Sequence, residues 1–416
     1  MEKLVIDHLV EKSREGSYYE IPFSVPEGVR SLTVRYSYPA QGNTIDLGLE
    51  DGQGQFLGWS GSSRESVTVG EFDATPGYLM EPVSPGTWHI LVGAYRVSGK
   101  GVKVRYEISF DPGGPRWLFG DLHVHSDASD GQHAIPTLAA MAKKRGLDFL
   151  AVTNHNNYSE NLSLPRVPGL TLIPGTEWTH YRGHMNFLGI AKPFSGSFVA
   201  NSLEEMRAIT RQARERGALI SVNHPKCNLC PYLWEDTDSF QLVEVWNGPM
   251  RGTNRRGISW WTQLLRQGRR LPAVGGSDFH RNRGPVRLGN PVTAVYADSC
   301  GAEDILSALA RGRSYVTGSI RGVRLGMTCG TETFGGVVSD GKKAHTLTVC
   351  AEKMPLGSVL QIVGDTGELA KRKPRGGSLR DTVTVSNTAF AYLLAGIPLP
   401  GGEIWPLAVS NPIYFE

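Results

Sequence analysis

An α/β fold is predicted, with a barrel-like centre between two β-rich flanks, and three observations predict it. Apolar residues alternate with polar ones before residue 112; short apolar runs alternate with helical periodicity from about 116 to 318; short strand-like pieces among Gly-rich turns return after 319. The expected division is residues 1–112, a sandwich-like β domain; 116–318, the α/β centre; and 319–416, a C-terminal β-rich domain.

In the first segment Leu32, Val34, Tyr36 and Tyr38 alternate with Thr33, Arg35 and Ser37, and Val104, Tyr106, Ile108 and Phe110 alternate with Lys103, Arg105, Glu107 and Ser109. A period of two with one apolar face means antiparallel strands covering a core on one side. Asp111-Pro-Gly-Gly-Pro115 reads as a linker.

From 116 the period changes. Ile135, Leu138, Ala139 and Ala142 follow helical spacing and stop near Gly146; Ser202-Leu-Glu-Glu205 is a capping box before Met206, Ile209 and Ala213. Ile258, Trp261 and Leu265 mark a third helix before Gly268, and Ile305, Leu306 and Leu309 a fourth before Gly312. Strand candidates fall at 149–153, 170–174, 185–190, 218–222, 240–246, 272–275 and 291–297. Strand alternating with helix implies a parallel sheet, and about seven repeats without a Gly-x-Gly-x-x-Gly turn favour a barrel over a dinucleotide fold. In the C-terminal segment, Lys371-Arg-Lys-Pro-Arg375 is the dense basic run, read as a solvated hairpin tip rather than an anion site.

A net charge of +3 over 416 residues implies no nucleic-acid or membrane partner. No apolar run reaches the length of a signal peptide or a membrane span, so the expectation is a soluble cytoplasmic protein. The five cysteines are too scattered for a disulfide framework. Cys227-x-x-Cys230 is either half a zinc site, a redox pair, or a turn carrying two small thiols; the last is expected, because nitrogen and oxygen donors suffice for a metal site.

Eight of the eleven histidines lie between residues 123 and 280, where an even spread would put about four. His123-Val-His125 ends an apolar run, and residues i and i+2 of a strand face the same way, so the two imidazoles can share one divalent cation. Asn154-His155, Gly175-Thr-Glu177, His184, Asn223-His224-Pro225 and Gly276-Ser-Asp278-Phe-His280 follow other apolar segments. Strand followed by ligand, repeated, describes ligands gathered at the carboxyl ends of barrel strands.

Taken together with Ser129-Asp130-Gly131, Thr153-Asn154-His155-Asn156 and the closing Ile305-Leu-Ser-Ala-Leu-Ala-Arg-Gly-Arg-Ser-Tyr-Val-Thr317, these motifs resemble the polymerase and histidinol phosphatase (PHP) family of metal-dependent phosphoesterases. Glu177-Trp-Thr, Gly183-His184-Met-Asn186 and the flanking β segments resemble its CehA/McbA-like branch, named for hydrolases of an aryl carbamate. The resemblance implies a distorted seven-fold β/α barrel with two to three divalent ions. It implies one ion on His123, His125, Glu177 and Asp278, a second on Glu177, His184 and His224, and a third on Asp130, His155 and His280. A carboxylate such as Glu177 can bridge two cations, and two bridged ions would share a water, acidify it to hydroxide and stabilise charge on a phosphoryl oxygen. With no sulfur in the set, zinc, manganese and iron all remain open.

The chain departs from the family at Asn154, where Asp is usual, so a supporting role suits it better than a ligand or base role. Glu177, Asp278 and His280 are the expected catalytic centre. Arg281 and Arg283, with Lys226, follow ligand motifs and can clamp a phosphate, or form surface salt bridges. Trp178, Trp246 and Asn247 line the pocket or belong to the core, and His133 and His180 are expected at the surface or behind the ligands. The expected function is hydrolysis of a small-molecule ester, a phosphoester first. A carbamate or carboxylic ester on the same metals is second, and a metal-containing binding module without turnover third.

Overall fold

The protein is described here from a computed structural model covering residues 3–416. The chain forms two compact units: residues up to Gly114 with Val167–Gly169, and Pro115–Arg166 with Leu170–Glu416.

The first unit is built from β1 (Lys3–Val10), β2 (Tyr18–Val25), β3 (Ser31–Ser37), β4 (Thr44–Glu50), β5 (Phe56–Gly61), β6 (Ser66–Gly70), β7 (Gly86–Arg96) and β8 (Val102–Asp111). They make two four-stranded sheets, in the orders β1-β8-β3-β6 and β2-β7-β4-β5, antiparallel throughout. The alternation read from the sequence sets the register: Leu32 lies opposite Phe110, Val34 opposite Ile108 and Tyr36 opposite Tyr106, all buried in one core shared by both sheets.

The second unit opens with β9 (Arg116–Val124), α1 (Ile135–Arg145), β10 (Phe149–His155), β11 (Thr171–His180) and β12 (Gly183–Leu188). It continues with α2 (Leu203–Glu215), β13 (Leu219–Val222), β14 (Leu242–Asn247), α3 (Gly252–Arg266), β15 (Ala273–Gly276), β16 (Val292–Ala297), α4 (Ala302–Ala310) and β17 (Ser314–Thr317). All four helices stand where the periodicity put them. Ser202 caps α2 through the expected reciprocal box with Glu205, and Gly146 ends α1 in the left-handed conformation.

The last strands are β18 (Arg324–Thr328), β19 (Val337–Val338), β20 (Ala344–Glu352), β21 (Val359–Gly364), β22 (Gly367–Arg372), β23 (Leu379–Ser386), β24 (Phe390–Pro398), β25 (Ile404–Ser410) and β26 (Ile413–Phe415). β25 pairs with β17, so the main sheet runs β15-β14-β13-β12-β11-β10-β9-β16-β17-β25-β24-β21-β22 without a break. The boundary expected after residue 318 falls inside this unit.

The expected distorted seven-fold β/α barrel is not confirmed by the hydrogen bonds. The run β9 to β15 is mixed: β10 is parallel to β9 and β11, whereas β12 is antiparallel to both β11 and β13. A parallel pair needs a crossover of a dozen residues or more. Only Tyr181 and Arg182 separate β11 from β12, so that step must be a hairpin. Four α-helices, not seven, occur among the described residues. The ends of the run meet at a bridge between Val124 and Phe279, where Asp278 N donates to His123 O (2.8 Å) and His125 N to Phe279 O (3.0 Å). No helix among the described residues is long and apolar enough to cross a membrane.

Candidate metal centre

His123 lies in β9 and His125 just beyond it, their rings 5.2 Å apart, and both are fully buried. The end of β15 passes so close that a Cβ on Gly276 would lie 2.4 Å from that of His123, which is why glycine stands there. Beyond it, the backbone of Asp278 is left-handed (φ 53°), as is that of His224 (φ 30°) after β13. Non-glycine residues take this conformation at a cost, and such outliers gather at functional sites.

Glu177 is the hub. It sits within β11, inside the strand and not in the turn the sequence suggested, and is fully buried. Five histidines approach its two oxygens: His123 Nε2 (3.3 Å), His184 Nδ1 (3.1 Å) and His224 Nε2 (3.5 Å) at Oε1, with His125 Nε2 (3.4 Å) and His155 Nδ1 (2.8 Å) at Oε2. The strand register explains this, since His155 lies opposite Glu177 and His184 opposite Thr179. Asp278 Oδ1 lies 3.4 Å from His123 Nε2 and 3.1 Å from His125 Nε2. At the outer end Asp130 Oδ1 faces His280 Nε2 (3.2 Å), His155 Nε2 (3.7 Å) and His125 Nδ1 (3.9 Å). All nine expected ligands are thus brought into one continuous cluster.

The donor set fits divalent ions. His123 Nε2, both ring nitrogens of His125 and Glu177 Oε2 are buried without a hydrogen-bond partner, a costly arrangement in a dry interior unless a cation completes it. Triads such as His123, His125 and Glu177, or His155, Glu177 and His184, and the set His125, Asp130, His155 and His280, each bring one ligand atom per residue within 4.8 Å of the others.

The electrostatics follow from this crowding. Burial pushes the Glu177 and Asp278 carboxyls up, but the surrounding imidazoles outweigh it and hold both well below the usual range. Burial pulls His123 and His224 down. The carboxylates Glu244, Glu177 and Asp278 at His123, and Cys230, Glu177 and Glu244 at His224, outweigh it and raise both well above 6.5. His125 goes the other way, lowered by burial to about 4.

Several supporting residues were not foreseen. Glu244, buried in β14, accepts from His123 Nδ1 at Oε1 (2.9 Å) and from His224 N at Oε2 (2.9 Å). An acid inside the apolar run Leu-Val-Glu-Val-Trp was the available signal, because a buried charge requires a partner. Asn223 Nδ2 donates to Glu177 Oε1 and to Asn186 Oδ1, both at 2.8 Å. Asp121, pushed up to about 6 by burial, accepts from the backbone of Ser277 (2.8 Å) and Gly289 (2.7 Å) and ties β9 to the 277–289 loop. Asn154 supports the site from behind. Its Oδ1 accepts from Ser126 N (2.8 Å) and Ser129 Oγ (3.0 Å), and its Nδ2 donates to Glu160 Oε2 (3.0 Å).

Arg281 and Arg283 are both exposed, and Arg281 Nη2 reaches the Asp130 carbonyl at 3.5 Å. Lys226 Nζ lies 5.0 Å from the centre of the Trp260 ring. Arg251, which the sequence reading passed over, donates to Asn247 Oδ1 (3.1 Å), and Asn247 Nδ2 in turn contacts Asp278 Oδ2 and Glu244 Oε2, each at 3.3 Å. Trp178 and Trp246 belong to the core. His180 stacks on Trp178, and His133 on Phe279.

A cavity of about 520 Å³ adjoins the cluster on the His184 side, lined by Asn156, Thr179, His184, Phe198, Leu229 and Cys230 among others. Another of about 520 Å³, around Arg270, Arg311 and Glu332, contains none of the histidines.

A family model described as the PHP domain matches residues 121–219, which carry His123 through His184. No curated protein matches the chain. Among solved structures, a two-domain protein of Bacteroides vulgatus containing a predicted PHP-like metal-dependent phosphoesterase is 20% identical, with 72% of this chain and 94% of that one covered at a TM-score of 0.41. PsfC from Pseudomonas syringae is 20% identical, with 47% and 90% covered and a TM-score of 0.36. An amidohydrolase from Chromobacterium violaceum, with bound sulfate and no metal, is 17% identical, with 40% and 89% covered and a TM-score of 0.29.

Proposed function

We propose that this chain is a metal-dependent hydrolase of small-molecule phosphoesters, working with two or three divalent ions in the cluster around Glu177. The observation that carries the reading is that buried carboxylate, with five histidines within 3.5 Å of its two oxygens and several ligand atoms left without a partner. When bound, divalent ions supply Lewis acidity and a water acidified toward neutrality. The chain's own residues do the rest. His123, His125, Asp278 and Glu177 would hold one ion, Glu177 with His184 and His224 a second, and Asp130, His155 and His280 a third. Glu244 fixes the His123 ring so that Nε2 faces Glu177, and Asn223 fixes Glu177. The open cavity beside His184 lies within the volume range of small-molecule sites.

Asn154 does not argue for a degenerate site, since its amide is engaged with Ser126, Ser129 and Glu160 and all nine candidate ligands are present. One observation favours a neutral ester or carbamate as the second reading: Arg281 rests on the backbone of Asp130. The test loads the protein with manganese or zinc, measures the metal content, and compares an aryl phosphate, an aryl phosphodiester and an aryl carbamate. Turnover of the phosphates with more than one ion per chain is expected. Turnover of the carbamate alone would put the second reading first, and no more than one ion per chain would defeat the multinuclear site.

A further inference from the structure

Beyond the hydrolytic centre, we propose that Cys227, Cys230, His184 and His224 form a second ion site, on the opposite side of the two histidines from Glu177, which takes a thiophilic divalent cation such as zinc. Its elements are already in place. The His224 ring presents Nε2 to Glu177 Oε1 at 3.5 Å and Nδ1 to Cys230 Sγ at 3.5 Å, so its two nitrogens face two different donor sets. His184 turns Nδ1 toward Glu177 at 3.1 Å, and its other nitrogen is the one the site would use. His184, His224 and Cys230 each bring one ligand atom within 4.8 Å of the other two.

The second sulfur is close by. Cys227 Sγ lies 3.3 Å from Cys230 Sγ, and both thiols are free. The loop between them is shaped as a turn: Cys227 N donates to His224 O at 2.8 Å, and Leu229 N donates to Cys227 Sγ at 3.4 Å. An N–H aimed at sulfur favours the thiolate, the form that binds metal. Two imidazoles and two thiolates are a donor set that zinc takes tetrahedrally, whereas the Glu177 side, with its carboxylates, also suits harder ions. His184 and Cys230 both line the 520 Å³ cavity, so an ion can enter from solvent.

A neutral imidazole offers one lone pair to one ion. His184 and His224 therefore serve either Glu177 or the sulfurs, and an ion held by the cysteines takes both histidines from the inner centre. A thiophilic metal would thus occupy a site that a hard metal leaves empty.

The test titrates the full chain, reduced, with cobalt(II) alone and records absorption. Thiolate-to-cobalt charge transfer in the near ultraviolet is expected in the unaltered protein. C227S should lose about half of that absorption, since one of two thiolates remains. C230S should likewise lose about half of it, and the double variant all. C300S, the same change at a thiol away from the cluster, should leave it intact, and E177Q should retain it because this site does not use Glu177. Bound cobalt without the sulfur band, or a band that survives the double variant, would overturn the sulfur site while leaving the hydrolytic centre standing. Loss of the band in E177Q would show that any sulfur belongs to the inner ion, and absence of cobalt binding altogether would remove both sites.

Discussion

Glu244 Oε1 and His123 Nδ1 lie 2.9 Å apart in a fully buried pair, and the other oxygen of the same carboxylate accepts the backbone N–H of His224. One side chain on β14 therefore orients a candidate ligand on β9 and another after β13. Partners of this kind cost roughly 10- to 100-fold in metal affinity or activity when removed. Glu244→Gln should lose metal affinity on that scale, read by calorimetric titration with manganese, while the fold remains. Affinity equal to that of the unaltered protein would mean that the His123 ring is held by packing alone.

Glu177 should matter more than any other ligand. Glu177→Gln keeps the shape but removes the charge that five histidines surround. Asp130 is half exposed and meets His280 and His155 and, at 3.9 Å, His125. At saturating metal, Glu177→Gln should depress kcat/KM well beyond the roughly 10- to 100-fold of a supporting residue, and Asp130→Asn should cost less. The reverse order would show that the outer group carries the chemistry.

How much of this was legible depended on whether the signal was local. His123-x-His125 needed only the two-residue period of a strand, and α2 was marked by its own capping box. The antiparallel direction of β12 was not legible, because the strand expected at 170–174 stopped short of His180 and hid the two-residue connection Tyr181-Arg182. Glu244 and Arg251 were hidden for another reason. Each matters through a partner that chain folding supplies, His123 being 121 residues away from Glu244. Spacing in the sequence carries no trace of such a pair, although an isolated acid within apolar residues does announce that one exists.

Asn154 is explained by its neighbour. Its amide donates to Glu160 Oε2 at 3.0 Å, and Ser126 Oγ donates to the same oxygen. Asn154→Asp would put a second carboxylate against the first and leave an acceptor unpaired, costing about 1–3 kcal/mol. The loss should shrink on acidification, as one carboxyl of the like-charged pair takes up a proton. Adding Glu160→Gln should restore most of the stability, which a double-mutant cycle by chemical denaturation measures. Strictly additive losses would show that the two side chains do not interact.

Metal affinity should rise with pH. An imidazole binds a cation only when neutral, and His123 and His224 are held above their ordinary value of 6.5 by the acids and thiol beside them. Protons therefore compete with metal around neutrality, and binding must release them. Acidification through the raised values should weaken binding, and mildly alkaline buffer should strengthen it, with proton release visible as a dependence of binding heat on the buffer. Affinity independent of pH across that window would exclude these histidines as ligands.

The choice between phosphate and neutral ester turns on which arginine reaches the substrate. Arg281 spends its guanidinium on the Asp130 carbonyl at a long 3.5 Å. Arg251 is joined to the centre through Asn247, whose amide touches both Asp278 and Glu244. That places a positive charge one side chain away from the candidate ligand Asp278, where a phosphoryl oxygen would develop charge. A hydrogen bond to a charged group is worth roughly 1.5–3 kcal/mol, or about ten- to a hundredfold and a little more in kcat/KM. Arg251→Ala should therefore cost that factor on an aryl phosphate and much less on a neutral aryl ester, with Arg281→Ala and Arg283→Ala each costing less on the phosphate. Because Arg251 also restrains Asn247, Arg251→Lys separates the two roles: it keeps the charge but loses the planar fork, and should recover only part of the phosphate activity. Equal losses on both substrates would make Arg251 a support for Asn247 alone, and the neutral-ester reading would then take first place.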